Sequence, residues 1–299
     1  MGYLYGGKIL RVDLTAGESR TEPVAPYAER FLGGKGVNAK ILFDEVEQTS
    51  GPFDAANLLL FGAGPLVGTP FPGACRLDVM AKSPVTGSYG NSGMGGYFAA
   101  ELKFAGYDNL VIEGKADRPV YLYIRDEKVE IRDASRIWGR DTYETPEMVR
   151  QDIGNPEAQV ISIGPAGENL VVHAAIISPS GNIAARTGLG AVMGSKKLKA
   201  IAVYGTRGVG IAEPKEFLAA CQRLRRDIAG SRFYPDLHTW GLTKTHDKEM
   251  RFSYDIIGET FAGPEWASVS EVEFARKYLH NRVGCMTCPV ACFDSYRID

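Results

Sequence analysis

Near one end of this 299-residue chain stands Gly284-Cys285-Met286-Thr287-Cys288-Pro289-Val290-Ala291-Cys292, a C-x₂-C-x₃-C run. Three thiolates in so short a span form a soft ligand set suited to an iron–sulfur cluster, whose irons take sulfur ligands. Zinc competes for the same residues. Structural zinc sites, however, pair a C-x₂-C with a second, distant pair, and the chain offers none. A redox C-x-x-C leaves Cys292 without a role and lacks βαβ patterning around it. A cluster is favoured over zinc, and a metal-free loop stays open beside both. Pro289 stiffens the turn that holds the thiolates. The seven residues after Cys292 contain neither Cys nor His, so a fourth ligand is expected elsewhere in the fold or in chain beyond residue 299.

Other reactive residues are sparse. Cys221 falls among Leu218, Leu224 and Ile228 on an amphipathic helical pattern and reads as a small buried hydrophobe. Cys75 adjoins Arg76 at the start of a strand and reaches the cysteine run only if folding brings that strand to it. His173 reads as a strand residue and His280 as a helix end, while His238 and His246 flank Trp240 without ligand spacing. The glycine loops complete neither G-x-x-x-x-G-K-[ST] nor a dinucleotide fingerprint. Loops at 62–70, 88–96, 164–167 and 181–190 nevertheless each follow a strand. With Arg76 and Arg186 they form a set of backbone N–H donors and cations able to cradle a large polyanion. The plainer alternative is that they are turns.

The elements that must position these residues are strand-rich. Glycine is high, 35 of 299 residues, about 12% against a usual 7%, so many tight turns or close backbone approaches are required. Strands are expected at 8–14, 19–24, 58–61, 76–81, 110–113, 120–124, 129–131, 159–163, 171–178 and 200–204, with 110–131 read as a β-meander. Helices are expected at 27–32, 37–46, 97–105, 142–153, 215–228 and 269–280. No repeat of 20–50 residues is evident. Composition shifts near Gly208, which divides a strand-rich α+β domain, 1–208, from the start of a helical domain, 209–299. A net charge of −2 gives no basis for nucleic-acid binding. No apolar run is long enough to span a membrane. The N-terminus lacks a signal-like pattern, and clustered rather than framework cysteines suit a reducing, cytoplasmic setting.

Several stretches together resemble the aldehyde ferredoxin oxidoreductase family. They are Tyr5–Leu14, the loop Gly62–Thr69, Lys82-Ser83-Pro84-Val85-Thr86-Gly87, the segment Gly95–Asp108, Ile163–Leu170, Gly190–Val203 and the cysteine run. The resemblance covers the whole chain in order. It implies tungsten, less often molybdenum, held by two pyranopterins on a β-rich base. It also implies a [4Fe-4S] cluster beside one pterin, Mg²⁺ bridging the pterin phosphates, a small aldehyde substrate, ferredoxin or another low-potential electron carrier, and a homodimer. Full-length members are about twice as long, and their fourth cluster cysteine and acid–base residues lie beyond the part matched here, so no catalytic residue is named.

Carried over by motif, Cys285, Cys288 and Cys292 are cluster ligands, and Arg76 is the bridge between pterin and cluster. Gly93 and Gly95 lie in one cofactor loop, and Asn182, Ile183, Ala185 and Arg186 in the other. Two departures stand out. A family Asn-Ser-Gly-Gly pattern is Gly93-Met94-Gly95-Gly96 here, with Asn91-Ser92 just before it. The second loop carries Asn182 where the family has an arginine, and Ala185 where it has a glycine. The expected activity is oxidation of aldehydes to carboxylic acids. The alternatives are the tungsten subunit of an aromatic-ring-reducing, benzoyl-CoA reductase-like complex, or a cofactor-binding module without catalysis.

Overall fold

The computed structural model describes residues 2–241 and 271–298. His246 and the start of the helix expected from Val269 lie outside the described residues. Two six-stranded mixed sheets form the frame. The first comprises β1 (Lys8–Asp13), β2 (Glu18–Pro23), β3 (Leu59–Ala63), β4 (Leu77–Lys82), β5 (Tyr89–Met94) and β6 (Tyr107–Glu113), in the order β2-β1-β6-β3-β4-β5. The second comprises β7 (Val120–Arg125), β8 (Lys128–Asp133), β9 (Gln159–Ser162), β10 (Ile176–Ile177), β11 (Ile183–Ala184) and β12 (Leu198–Tyr204), in the order β8-β7-β12-β9-β10-β11. The second order is the first with every strand advanced by six. The pairing senses repeat as well: β1 with β6 and β7 with β12 are parallel, and the other ladders are antiparallel. The fold is therefore α+β and internally duplicated, with a period far longer than the window in which no sequence repeat is evident.

Strand side chains alternate between faces, and here both faces are covered. Leu10, Val12, Phe61 and Leu110 of the first sheet share one cluster with Leu122, Ile124, Ile161 and Ile201 of the second. Their neighbours Ile9, Leu60 and Val111 face the other way, onto α1 (Ala25–Phe31) and α2 (Lys35–Glu45), against Ala28, Ile41 and Leu42. On the far side, Tyr121, Tyr123 and Val160 pack on α4 (Glu144–Ile153) through Val149. Burial on both faces explains the near-continuous apolar runs of the central strands. Between the sheets lie α3 (Phe98–Phe104) and α6 (Leu189–Ser195), each touching strands of both. A short α5 (Pro165–Glu168) packs backbone to backbone on α6, where a Cβ at Gly194 would lie 1.9 Å from the Gly167 carbonyl oxygen.

Several expectations need correction. Residues 110–131 are not one meander: β6 inserts between β1 and β3, whereas β7 and β8 begin the second sheet. Only Ile176–Ile177 of the strand expected over 171–178 is strand, and Val171 and Val172 are half-exposed in a turn that also holds His173. Residues 89–94, expected as loop, form β5 on β4. Beyond β12 come α7 (Pro214–Ala229), an unforeseen α8 (Tyr234–Trp240), and α9 (Glu271–Tyr278). An unforeseen hairpin follows, β13 (Leu279–Val283) with β14 (Phe293–Tyr296), so His280 starts a strand pair and does not end a helix. No described helix is long and apolar enough to cross a membrane.

One buried pair ties the frame to its loops. Lys103 Nζ donates to the carbonyl oxygens of Leu4 (2.6 Å), Gly64 (3.2 Å) and Pro65 (2.8 Å) and lies 3.7 Å from Asp108 Oδ1. Asp108 in turn accepts the N–H groups of Gly6 and Gly7 at 3.0 and 2.7 Å. Burial pulls the lysine down to about 8, against the attraction of Asp108. Removing one member leaves the other buried without its partner, at a cost of about 3–5 kcal/mol. Lys103→Met is expected to destabilise by that amount in chemical denaturation; a loss below about 1 kcal/mol, the range of exposed pairs, would show that the pair pins nothing.

Candidate functional site

Between the ends of the first sheet and the edge of the second lies a cleft of ≈ 840 Å³. Its walls come from segments far apart in sequence: Gly33–Lys35 at the start of α2, Gly64–Val67 after β3, Phe71–Ala74, Asn91–Gly93 on β5, and Ile183 with Ala185 and Arg186. Glycines recur along the lining, at 33, 34, 62, 64, 73 and 93. At Gly64 and Gly73 a Cβ would meet nothing within 4 Å, so these positions leave room at the rim. Gly62 is the opposite case: a Cβ there would come within 2.6 Å of Asn109 Nδ2 and 2.8 Å of Asn38 Nδ2.

Charge in the lining is mostly positive, with Lys35, Arg76 and Arg186 against one carboxylate, Asp78. Asn38 Nδ2 donates to Asp78 Oδ1 at 3.2 Å, and Asn91 Nδ2 donates to Oδ2. Burial pushes the Asp78 carboxyl upward, opposed by those two amides and by the Lys35 charge. A rim of glycine backbone with three cations suits a large anionic ligand.

At one end of the cleft the cysteine loop, 284–292, hangs from the β13–β14 hairpin. The Cys288 N–H closes the turn onto the Cys285 carbonyl at 3.0 Å. Thr287 sits in the left-handed region (φ 59°), costly for a β-branched residue. Its hydroxyl donates to the Phe71 carbonyl oxygen at 2.7 Å, fastening the loop to the cleft wall. Tyr97 Oη donates to the Gly284 carbonyl oxygen at 3.0 Å. From the other side, α8 supplies Tyr234 Oη to the Pro289 carbonyl oxygen (3.3 Å) and His238 Nδ1 beside the Val290 carbonyl oxygen (3.2 Å). Arg282 donates to the carbonyl oxygens of Leu237 and His238.

Cys285 is the most constrained of the three thiols. A Cβ at Gly95 would lie 2.6 Å from its Sγ, so only glycine admits it. Its sulfur accepts from the Asn182 amide at 3.5 Å, while the neighbouring Cys75 thiol donates to the Gly73 carbonyl oxygen at 3.4 Å. The neighbouring Cys75 thiol first, then the backbone at Gly96, the Asn182 amide and the Arg76 charge, draw Cys285 down to about 5 despite its burial. The same contact and burial push Cys75 up. Cys292 is raised by burial and by the neighbouring Cys288 and Cys285. Among the described residues no three His, Cys, Asp or Glu side chains close on a point that would hold a single metal ion.

The structure thus gathers Arg76, Gly93, Ile183, Ala185 and Arg186 in the cleft wall and sets Gly95 and Asn182 against Cys285. Arg76 belongs to both regions: it lines the cleft, donates from Nη2 to the Gly93 carbonyl oxygen (3.4 Å), and acts by charge on Cys285. Cys75, left conditional by the sequence, does reach the cysteine loop. Cys221 is buried on α7 as expected. Of the four glycine loops, 164–167 takes no part in the cleft, because α5 packs on α6. Residues 33–35 and 71–74, and the carboxylate of Asp78, were missed; the Gly33-Gly34 pair ahead of a helix was their one visible signal.

Comparison with known proteins places these features. The family model "Aldehyde ferredoxin oxidoreductase, N-terminal domain" matches residues 9–205. A tungsten-containing aldehyde ferredoxin oxidoreductase of Pyrococcus furiosus is 41% identical over 296 residues, covering 97% of this chain and 49% of that protein. An aliphatic sulfonate oxidoreductase, WOR-like subunit, of the same organism is 38% identical over 220 residues, 68% of this chain and 35% of that protein. Among solved structures, the active-site complex BamBC of benzoyl coenzyme A reductase with 1,5-dienoyl-CoA superposes with a TM-score of 0.89 at 36% identity. That match covers 100% of this chain and 48% of the other. The chain spans about half the length of the curated relatives that match it along nearly its whole length.

The Gly95 contact is directly testable. Gly95→Ala is expected to drive the 284–288 turn off the strand end, and amide exchange at Met286, whose N–H bonds the Gly96 carbonyl oxygen at 3.4 Å, should accelerate at least tenfold. Unchanged exchange would mean that the turn is held elsewhere.

Proposed function

The chain belongs to the aldehyde ferredoxin oxidoreductase family, and from that premise we propose that it is the cofactor-base half of a tungsten-dependent enzyme oxidising aldehydes to carboxylic acids. Its electrons would pass to ferredoxin or another low-potential carrier. The observation that carries this reading is the shared wall. A large cationic, glycine-rich cleft and a three-cysteine loop meet at Arg76.

The residues present fit the groups. Cys285, Cys288 and Cys292 are three thiolates of a [4Fe-4S] cluster, in which each thiolate binds a different iron, so they need not converge on one point. The side-chain-free rim at Gly64 and Gly73, with Lys35, Arg76 and Arg186, suits a tungsten or molybdenum bis-pyranopterin with its phosphates. A Mg²⁺ at the phosphates would be held by the cleft-lining segments at Gly93, Ile183 and Ala185. When bound, the metal–pterin supplies two-electron oxidation and the cluster single-electron relay.

The chain's own work is placement. Arg76, permanently charged and planar, sets a fixed donor between the two binding regions. Backbone N–H groups and cations of the cleft orient an anion, and the Lys103 pair holds the Gly64–Pro65 wall in position. Residues 1–208 form the base, and 209–299 begin the helical part that brings the cysteines. The likeness to the benzoyl-CoA reductase complex favours one second reading, reduction of an aromatic ring, in which the same base serves another substrate.

In the full-length protein, Cys288→Ala is expected to abolish the cluster's electron paramagnetic signal while most of the pterin remains. An unchanged signal in the reduced variant would refute the ligand assignment. Oxidation of small aldehydes with a viologen acceptor, against reduction of an aromatic thioester, separates the two substrate readings: turnover of the aldehyde alone supports the first, and of the thioester alone the second.

A further inference from the structure

Asn182 lies beside the cleft residues in sequence but is absent from the cleft lining, where Ile183, Ala185 and Arg186 appear. Its side chain turns toward the cysteine loop instead. Nδ2 donates to Cys285 Sγ at 3.5 Å, and Oδ1 accepts from Ser180 Oγ at 2.9 Å. Ser180 Oγ lies 2.8 Å from Ser178 Oγ. A thiolate only accepts, so it takes the nitrogen end of the amide and leaves the oxygen to accept from the Ser180 hydroxyl. Backbone bonds close the loop that carries it: Gly181 N–H to the Ser178 carbonyl oxygen (2.9 Å) and Ser178 N–H to the Asn182 carbonyl oxygen (3.0 Å).

The surroundings leave this amide little freedom. A Cβ at Gly95 would come 3.1 Å from Nδ2, and one at Gly96 would come 3.0 Å from Oδ1. At Gly181 a Cβ would lie 2.3 Å from the Phe293 ring, so the loop is pressed against the hairpin that carries the cysteines. A polar side chain clamped this closely delivers its N–H at a fixed position.

We propose that Asn182 is a positioning residue for the redox centre, holding Cys285 Sγ through an N–H···S hydrogen bond and drawing negative charge off that sulfur. The inference rests on the reading of Cys285 as a cluster ligand. Hydrogen bonds to ligating sulfurs raise a cluster's reduction potential, because they stabilise the more negative, reduced state. Partners of this kind behind the ligands also set ligand orientation. Where the family pattern has a cationic arginine, this chain uses a neutral amide held by Ser180, which Ser178 contacts in turn.

The test uses the full-length protein purified without oxygen, with a redox titration followed by electron paramagnetic resonance. Asn182→Ala and Asn182→Asp are both expected to shift the potential to more negative values, Asp further because it replaces a donor with a charged acceptor. Should either lose iron, Ser180→Ala decides: it frees the amide without removing it and is expected to give a smaller shift of the same sign. Unchanged potentials in the variants, with a normal wild-type signal, would overturn the role of Asn182 and leave the cluster reading intact. A wild-type protein without the signal would overturn both.

Discussion

The arrangement depends on one close approach, the Cys285 sulfur against the backbone of Gly95. Only a residue without Cβ leaves room for it there. That contact joins a hairpin near residue 290 to the end of β5, and so joins a thiolate set to the wall of the cleft. Asn182 donates to the sulfur at this point, and Arg76, whose charge acts on it, is tied to the Gly93 carbonyl oxygen.

The frame that makes the approach possible is a duplicated sheet. Each half offers a strand-rich face with a helix behind it, and the two halves share the layer formed by α3 and α6. A platform covered on both sides cannot easily flex, because shifting a central strand would disturb two packed faces at once. The loops at its edge can therefore be rich in glycine without being loose. Lys103 shows how this is achieved: a buried ammonium donates to three carbonyl oxygens outside the helices and strands, two of them in the cleft wall. Its burial costs solvation, offset by those acceptors and by Asp108.

Much of this was legible from residues alone. Apolar runs such as Leu58–Phe61 and Leu110–Ile112 marked central strands because both their faces are buried. The spacing of Cys285, Cys288 and Cys292 marked a soft-ligand loop. β5 was not legible, since Tyr89-Gly90-Asn91-Ser92-Gly93-Met94 lacks apolar alternation and becomes a strand only by pairing with β4. The sheet membership of β6 was equally hidden, because short-range pattern cannot say which distant strand a segment joins. Asn182 is the sharpest case. Its partner lies 103 residues away, and the resemblance by motif places it only in the second cofactor loop. Gly33-Gly34 completes no phosphate motif and yet lines the cleft, since such a wall needs room more than it needs a motif.

The central claim is that this cleft and this cysteine loop serve a tungsten- or molybdenum-pterin and an iron–sulfur cluster together. Elemental analysis of the full-length protein, purified without oxygen, addresses it most directly. About one tungsten or molybdenum and about four irons per chain are expected for one metal–pterin and one [4Fe-4S] cluster. Zinc alone, at one per chain and without iron, would contradict it.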